Sequence, residues 1–213
     1  MMKALVLSGE NHRFNASAPI IHEFLDASDG IDAEMTEDKD ALRSLNAYDV
    51  CVLGTGFTKS VKREDGTVER LDDLTPEQER GLFDYVSGGG GLVGTHGTAW
   101  WIPSRAVPLI GGHANWHPPG LTFEVQIDDA NHDITEGITA FEVDDEIYMS
   151  AWDPSIHVLA SATWSDKQHP MAWTQPYGEG RVFYTTLGHG PATFERPMMQ
   201  KLMTNGTRWA GMK

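Results

Sequence analysis

The sequence predicts an α/β protein: a three-layer sandwich on a mostly parallel, doubly wound sheet. Three observations carry that prediction. Short apolar runs alternate with helically spaced ones through the first half, which implies parallel strands joined by right-handed crossovers. Three of those runs end in glycines, at Ser8-Gly9, Gly54-Thr55-Gly56 and Gly94-Thr95-His96-Gly97. The chain has 213 residues, 40% hydrophobic and 22% charged, enough for one sizeable core. No repeat, low-complexity tract or linker divides it, so residues 1–213 are expected to form one domain.

Ala4 to Leu7 is an apolar run short enough for a buried strand. Pro19 to Ala27 carries Ile20, Ile21, Phe24 and Leu25 at helical spacing and should pack on the sheet. Ile31 to Thr36 reads as a weak second strand, Asp40 to Leu45 as a short helix, and Val50 to Leu53 as a third, buried strand. Phe57 to Leu74 is charged and polar and reads as an exposed loop or small insertion. Thr75-Pro76-Glu77-Gln78 starts a helix: Thr75 caps it, Pro76 takes the first helical position and Gln78 completes a capping box. That helix should run to about Ser87 and stop at the glycines, with Gly91 to Gly94 as the fourth strand.

The second half is less regular. Gly111 to Gly120, dense in His and Trp, excludes a helix or a central strand and reads as a loop. Leu121 to Ile127 alternates as a strand does. Asn131 to Gly137 reads as a turn or short helix. Phe141 to Met149, Ile156 to Ser161, Pro170 to Thr174 and Gly180 to Leu187 are strand-like, and Pro197 to Ala210 is a closing helix.

In a doubly wound sheet the ligand site lies beyond the carboxyl ends of the strands. His12 and His96 follow such ends, and Gly188-His189-Gly190 follows another. Gly88 to Trp101 has the layout of a nucleophile elbow, with His96 where Ser or Cys would stand. An imidazole there could act as general acid or base, or bind a metal. His113 and His117 lie in the His/Trp loop, and His117, fixed by the following prolines, is the better ligand candidate. The carboxylates of Asp144-Asp145-Glu146 could orient a histidine, complete a metal site or bind sugar hydroxyls. Strand alternation would send Asp145 and Ile147 to one face and Glu146 and Tyr148 to the other, so at most one pair should face the site. Trp100, Trp101, Trp116, Trp152 and Trp173 lie near these loops, and aromatic faces stack on the C–H faces of sugars.

Lys and Arg number 16 against 31 Asp and Glu, a net charge of -15, which argues against nucleic acid and anionic membrane surfaces. The single cysteine, Cys51, rules out an internal disulfide and fits a reducing compartment. The N-terminal run reads as a strand, not a signal peptide, and no segment has the length of a membrane span. A cytoplasmic protein is expected.

These residues together resemble the trehalose-utilisation (ThuA-like) family. The resemblance rests on His12 after the first strand, Gly94-Thr95-His96-Gly97, the Gly-Gly to His117-Pro118 segment, Asp145-Glu146-Ile147-Tyr148, and Pro170-Met171-Ala172-Trp173 through Tyr177, Gly180, Tyr184 and Leu187-Gly188-His189. It implies a flavodoxin or class I glutamine amidotransferase-like fold and a role in carbohydrate metabolism near trehalose-type disaccharides and their keto derivatives. The amidotransferase cysteine would fall at His96, so glutamine hydrolysis through a thiol ester is excluded.

The leading expectation is an enzyme acting on a keto-sugar or keto-glycoside by proton transfer, as an isomerase, lyase or hydrolase. His96, His189 and Glu146 are the expected catalytic residues. His12, Trp100, Trp116, Asp145 and Tyr148 are the expected sugar-binding ones. His96, His117 and His189 are the candidate ligands of one divalent cation such as zinc or manganese, and no nucleotide cofactor is expected. The rival readings are a non-catalytic sugar-binding or regulatory domain, and an interaction subunit that uses its Trp-rich loops. A homo-oligomer follows from the family type and the prevalence of symmetric assemblies.

Overall fold

The structure, a computed structural model, describes residues 1–212; residue 213 of the expected domain lies outside them. The first half runs β1 (Met2–Leu7), α1 (Phe14–Asp26), β2 (Ile31–Thr36), β3 (Val50–Thr55), β4 (Thr58–Lys62), β5 (Val68–Asp72), α2 (Pro76–Ser87) and β6 (Gly91–Gly97). Next come α3 (Pro103–Ile110), β7 (Gly112–Trp116), β8 (Leu121–Ile127), β9 (Phe141–Asp145) and β10 (Met149–Trp152). The chain closes with β11 (His157–Trp164), β12 (Lys167–Tyr177), β13 (Gly180–Thr185), α4 (Pro191–Phe194) and α5 (Pro197–Gly211).

One nine-stranded sheet has the order β2-β1-β3-β6-β13-β12-β11-β8-β9. Its first five strands pair in parallel, as expected. From β13 onward every pair is antiparallel, so the sheet is mixed around a parallel core. The connections give the reason. Ser165 and Asp166 alone join β11 to β12, with φ of 53° and 59°, the type I′ geometry that closes a two-residue hairpin. A connection that short forces antiparallel pairing.

Side-chain alternation divides the core into two layers. Ala4, Val6, Val50, Val52, Val93 and Phe183 face α1 and α5, whereas Leu5, Leu7, Leu53, Leu92, Val182 and Tyr184 face α2 and α3. This is the expected three-layer sandwich.

Several elements differ from the sequence expectation. Helix α1 begins at Phe14, five residues before the predicted start, and contains Pro19. An interior proline costs about 3 kcal/mol. Burial of Phe14, Ile21 and Leu25, at roughly 1.5–3 kcal/mol each, exceeds that cost. The expected loop 57–74 holds the hairpin β4–β5, with Thr58 opposite Asp72 and Lys62 opposite Val68. Both of its faces are polar, which hid the period of two. Helix α3 was not expected, because Pro103 and Pro108 break up its short apolar pattern. Part of the expected loop 111–120 is β7, which pairs only with β10 in a two-stranded ribbon. The expected strand 141–149 breaks after Asp145.

One feature of the sheet bears on the site. Strand β8 meets β11 through two residue pairs, Ile127 with Ala160 and Gln126 with Ser161, while its other end, Leu121, pairs with Asp145. In a flat sheet with ~4.8 Å between strands, β9 would lie about 19 Å from β13, four steps away. Yet Asp145 bonds the backbone just past β13, with 2.8 Å from its Oδ2 to the Gly188 nitrogen. The β8–β9 ribbon therefore curls away from the sheet and returns over its carboxyl edge.

Candidate functional site

The strands deliver their polar residues to that edge. His96 lies at the end of β6 with φ of 32°, a strained conformation for a residue with a side chain. The Tyr184 hydroxyl donates to its carbonyl at 2.8 Å and helps hold it there. The ring is buried, and its Nδ1 lies 2.8 Å from the Thr186 carbonyl oxygen. A carbonyl only accepts, so Nδ1 carries the proton and Nε2 presents its lone pair. Burial holds the His96 pKa well below 6.5, with the positive charge of His12, His189 and His117 acting the same way against the Thr186 bond. The ring is neutral at pH 7.

Three groups converge on Nε2. The Tyr148 hydroxyl donates to it at 2.6 Å. His189 Nδ1 lies 3.3 Å away and Glu146 Oε2 3.5 Å away. His189 Nδ1 is also 3.1 Å from Glu146 Oε1. Burial raises the Glu146 pKa, and the neighbouring His189 and His117 pull it back. The ligand atoms of His96, Glu146 and His189 all lie within 4.8 Å of one another, the spacing of a cation site. His117, an expected ligand, lies outside this group and Glu146 takes its place: the His117 Nδ1 is 2.8 Å from the Pro118 carbonyl, and its Nε2 reaches only the edge of the group, 3.5 Å from Glu146 Oε2.

Asp145 was expected to bind substrate, and the structure gives it a different position. It is 3% exposed. Its Oδ1 accepts from the Glu146 and His189 nitrogens at 2.8 and 3.2 Å, and its Oδ2 from the Gly188 nitrogen and Thr193 hydroxyl at 2.8 and 2.7 Å. It is a positioning residue that ties the ribbon tip to the Gly188-His189 turn. Gly188 has φ of 122°, and a Cβ there would come within 2.6 Å of the Phe194 ring, so the turn needs glycine. The alternation rule predicted that only one of the pairs would reach the site. Because β9 stops at Asp145, Asp145, Glu146 and Tyr148 all reach it.

His12 and Arg13 both have positive φ, 54° and 56°, immediately before α1. The His12 ring stacks on Trp100 with centroids 6.1 Å apart and meets His96 edge-on at 5.4 Å. Gly97 makes room for it, since a Cβ there would lie 2.9 Å from the His12 ring. A cleft of about 840 Å³ opens here, lined by His12, Trp100 and His117 and, on the far wall, by Lys59, Ser60 and Arg70 of the hairpin. His96, Glu146 and His189 do not line the cleft themselves; His12 and His117 touch both, and Trp100 reaches the group through Tyr148.

Trp116 does not join this group. It is 54% exposed, and its ring contact is Trp164 at 6.4 Å. His113 faces Asn115, Trp101 and Trp173 are core residues, and Trp152 is exposed. Sequence reasoning missed the hairpin wall with Arg70. Lys59 to Lys62 are exposed throughout and Val68 to Asp72 nearly so, and neither run alternates, so no periodic signal marked the wall.

A sequence profile described as ThuA, trehalose utilisation, matches residues 3–210. The chain belongs to the ThuA family. Among solved structures, a ThuA-like protein from Parabacteroides merdae superposes with a TM-score of 0.81 at 20% identity, covering 99% of this chain and 90% of that one. A ThuA-like protein from Bacteroides uniformis gives 0.73 at 22% identity, covering 98% and 91%. A β-galactosidase from Bacillus circulans sp. alkalophilus gives 0.68 at 14% identity, covering all of this chain and 31% of that one. The ThuA fold, a mixed sheet with a parallel core, thus recurs as part of a larger enzyme. The comparison with curated proteins found no match. Among the described residues of this ThuA protein no helix is long and apolar enough to cross a membrane.

Proposed function

We propose that the protein is an enzyme of carbohydrate metabolism that moves a proton at the carbon beside the carbonyl of a keto-sugar or keto-glycoside. The observation that carries this reading is the meeting of His96 Nε2, the Glu146 carboxylate and His189 Nδ1 within 4.8 Å, beside a polar cleft with an aromatic wall. Membership of the trehalose-utilisation family supports the substrate class.

The donor set fits one divalent cation. His96 keeps its proton on Nδ1 against a backbone carbonyl, the arrangement that orients a metal-binding imidazole, and Glu146 supplies the charge. Bound there, a cation would polarise a carbonyl or enediolate oxygen. Where no cation is bound, Glu146, its pKa raised by burial, suits proton abstraction, and half-exposed His189 can carry the proton to or from the cleft. The hydrogen bonds that Asp145 accepts from the Gly188 and His189 nitrogens fix the turn that carries His189.

A second reading has its own observation. The Tyr148 hydroxyl already occupies the His96 lone pair at 2.6 Å, which supports a Tyr148–His96 relay that works without metal. Turnover of a 3-keto-glycoside by wild type, H96A and H189A, with and without chelator, tests both. Loss of turnover in both variants is expected, and full turnover in either ends the proposal. Activity that survives exhaustive chelation favours the relay.

A further inference from the structure

The β4–β5 hairpin brings into the cleft a guanidinium that the chemistry above does not use. The other two cations lining the cleft are held by Asp73: Lys39 at 2.5 Å and Lys59 at 3.9 Å. Arg63, on the same hairpin, is paired with Glu69 at 2.5 Å. Among the described residues Arg70 has no carboxylate partner, although acidic residues outnumber basic ones by 31 to 16. Its guanidinium carbon instead lies 5.3 Å from the Trp100 ring centre. The hairpin register sets Ser60 opposite Arg70, and both line the cleft. His12 lines it too, and its ring makes no hydrogen bond among the described residues.

A planar cation laid on an aromatic face, with its forked donors free, suits a carboxylate or phosphate. We propose that Arg70 binds an anionic group carried by the substrate, with Ser60 and His12 completing the subsite. This rests on the reading of the cleft as a sugar site, and it narrows the substrate class to a sugar acid or a sugar phosphate. Glu10 and Glu37 also line the cleft and repel an anion. Affinity must therefore depend on Arg70 itself and not on the general field of the chain.

Calorimetric titration of wild type, R70Q and R70K with glucose, glucuronate, glucose 6-phosphate and inorganic phosphate tests this. One anionic sugar should bind roughly tenfold or more tighter than glucose. R70Q should erase that gap by weakening the anionic sugar far more than glucose, R70K should restore part of it, and added salt should narrow it. The tighter arm distinguishes carboxylate from phosphate. Equal binding of all three sugars, or an unchanged gap in R70Q, overturns the anion subsite and leaves the sugar reading standing. Arg70-dependent binding of inorganic phosphate with no sugar bound keeps the subsite and removes the sugar reading. No binding of any probe removes both.

Discussion

The proton on His96 Nδ1 decides what the other nitrogen can do. Held against the Thr186 carbonyl, the ring offers Nε2 as a base or a ligand, at a strained backbone position with φ of 32°. The same logic makes Asp145 vulnerable. Its two oxygens accept from four donors, so D145N turns an amide N–H₂ against two of them. We expect a loss of about 3 kcal/mol in urea unfolding, together with loss of turnover. His12 gives a pH effect. Burial, then the charges of His189, Arg70 and His117, lower its pKa from 6.5 to about 4. As pH falls from 6.5 to about 4, the unfolded imidazole takes a proton that the folded one refuses. The stability tied to neutral His12 is thus full above that window and lost through it. H12Q should lose less stability than wild type between the two ends of the window, and equal losses would refute the assignment. Much of the site was legible, since His96 and His189 follow strand ends and are flanked by glycine. The role of Asp145 was not, because it depends on where β9 stops, and the alternation of 141–149 gives no sign of that.

The elements best read from sequence are those whose signal is local. Strands β2 and β8 fall where their patterns end, and α2 begins at its capping box, with Thr75 Oγ1 accepting from the Gln78 nitrogen and the Gln78 side chain accepting from the Thr75 nitrogen. T75A should cost about 1 kcal/mol, and a Tm shift of roughly 2–4 °C would register it. At the other end of the site, G188A forces a side chain into positive φ against Phe194. It should displace His189 and lower kcat more than it lowers Tm, which activity and melting curves on one sample can compare. Elements fixed by distant partners were not legible. Strand β7 exists because β10 pairs with it, and the β4–β5 hairpin has polar residues on both faces.

At the scale of the whole molecule, the parallel core supplies His96 and His189, and the antiparallel half supplies Asp145 and Glu146. A cation held between them would link the two halves thermodynamically. At a concentration 100 times its Kd, zinc or manganese should raise unfolding stability by about 2.7 kcal/mol, and E146Q should remove most of that gain in a melting experiment. An unchanged Tm for wild type across a metal series would argue against the cation. The two-pair attachment of β8 to β11 gives this arrangement its mechanical character. Carboxylate and imidazole are mounted on separate frames, the second held by the parallel core and the first on a ribbon attached at one end, with Asp145 as the latch between them. On this view the gap between Glu146 and His96 depends on the latch and the mounting, and substitutions as remote as Ile127 and Ser161 are expected to shift it.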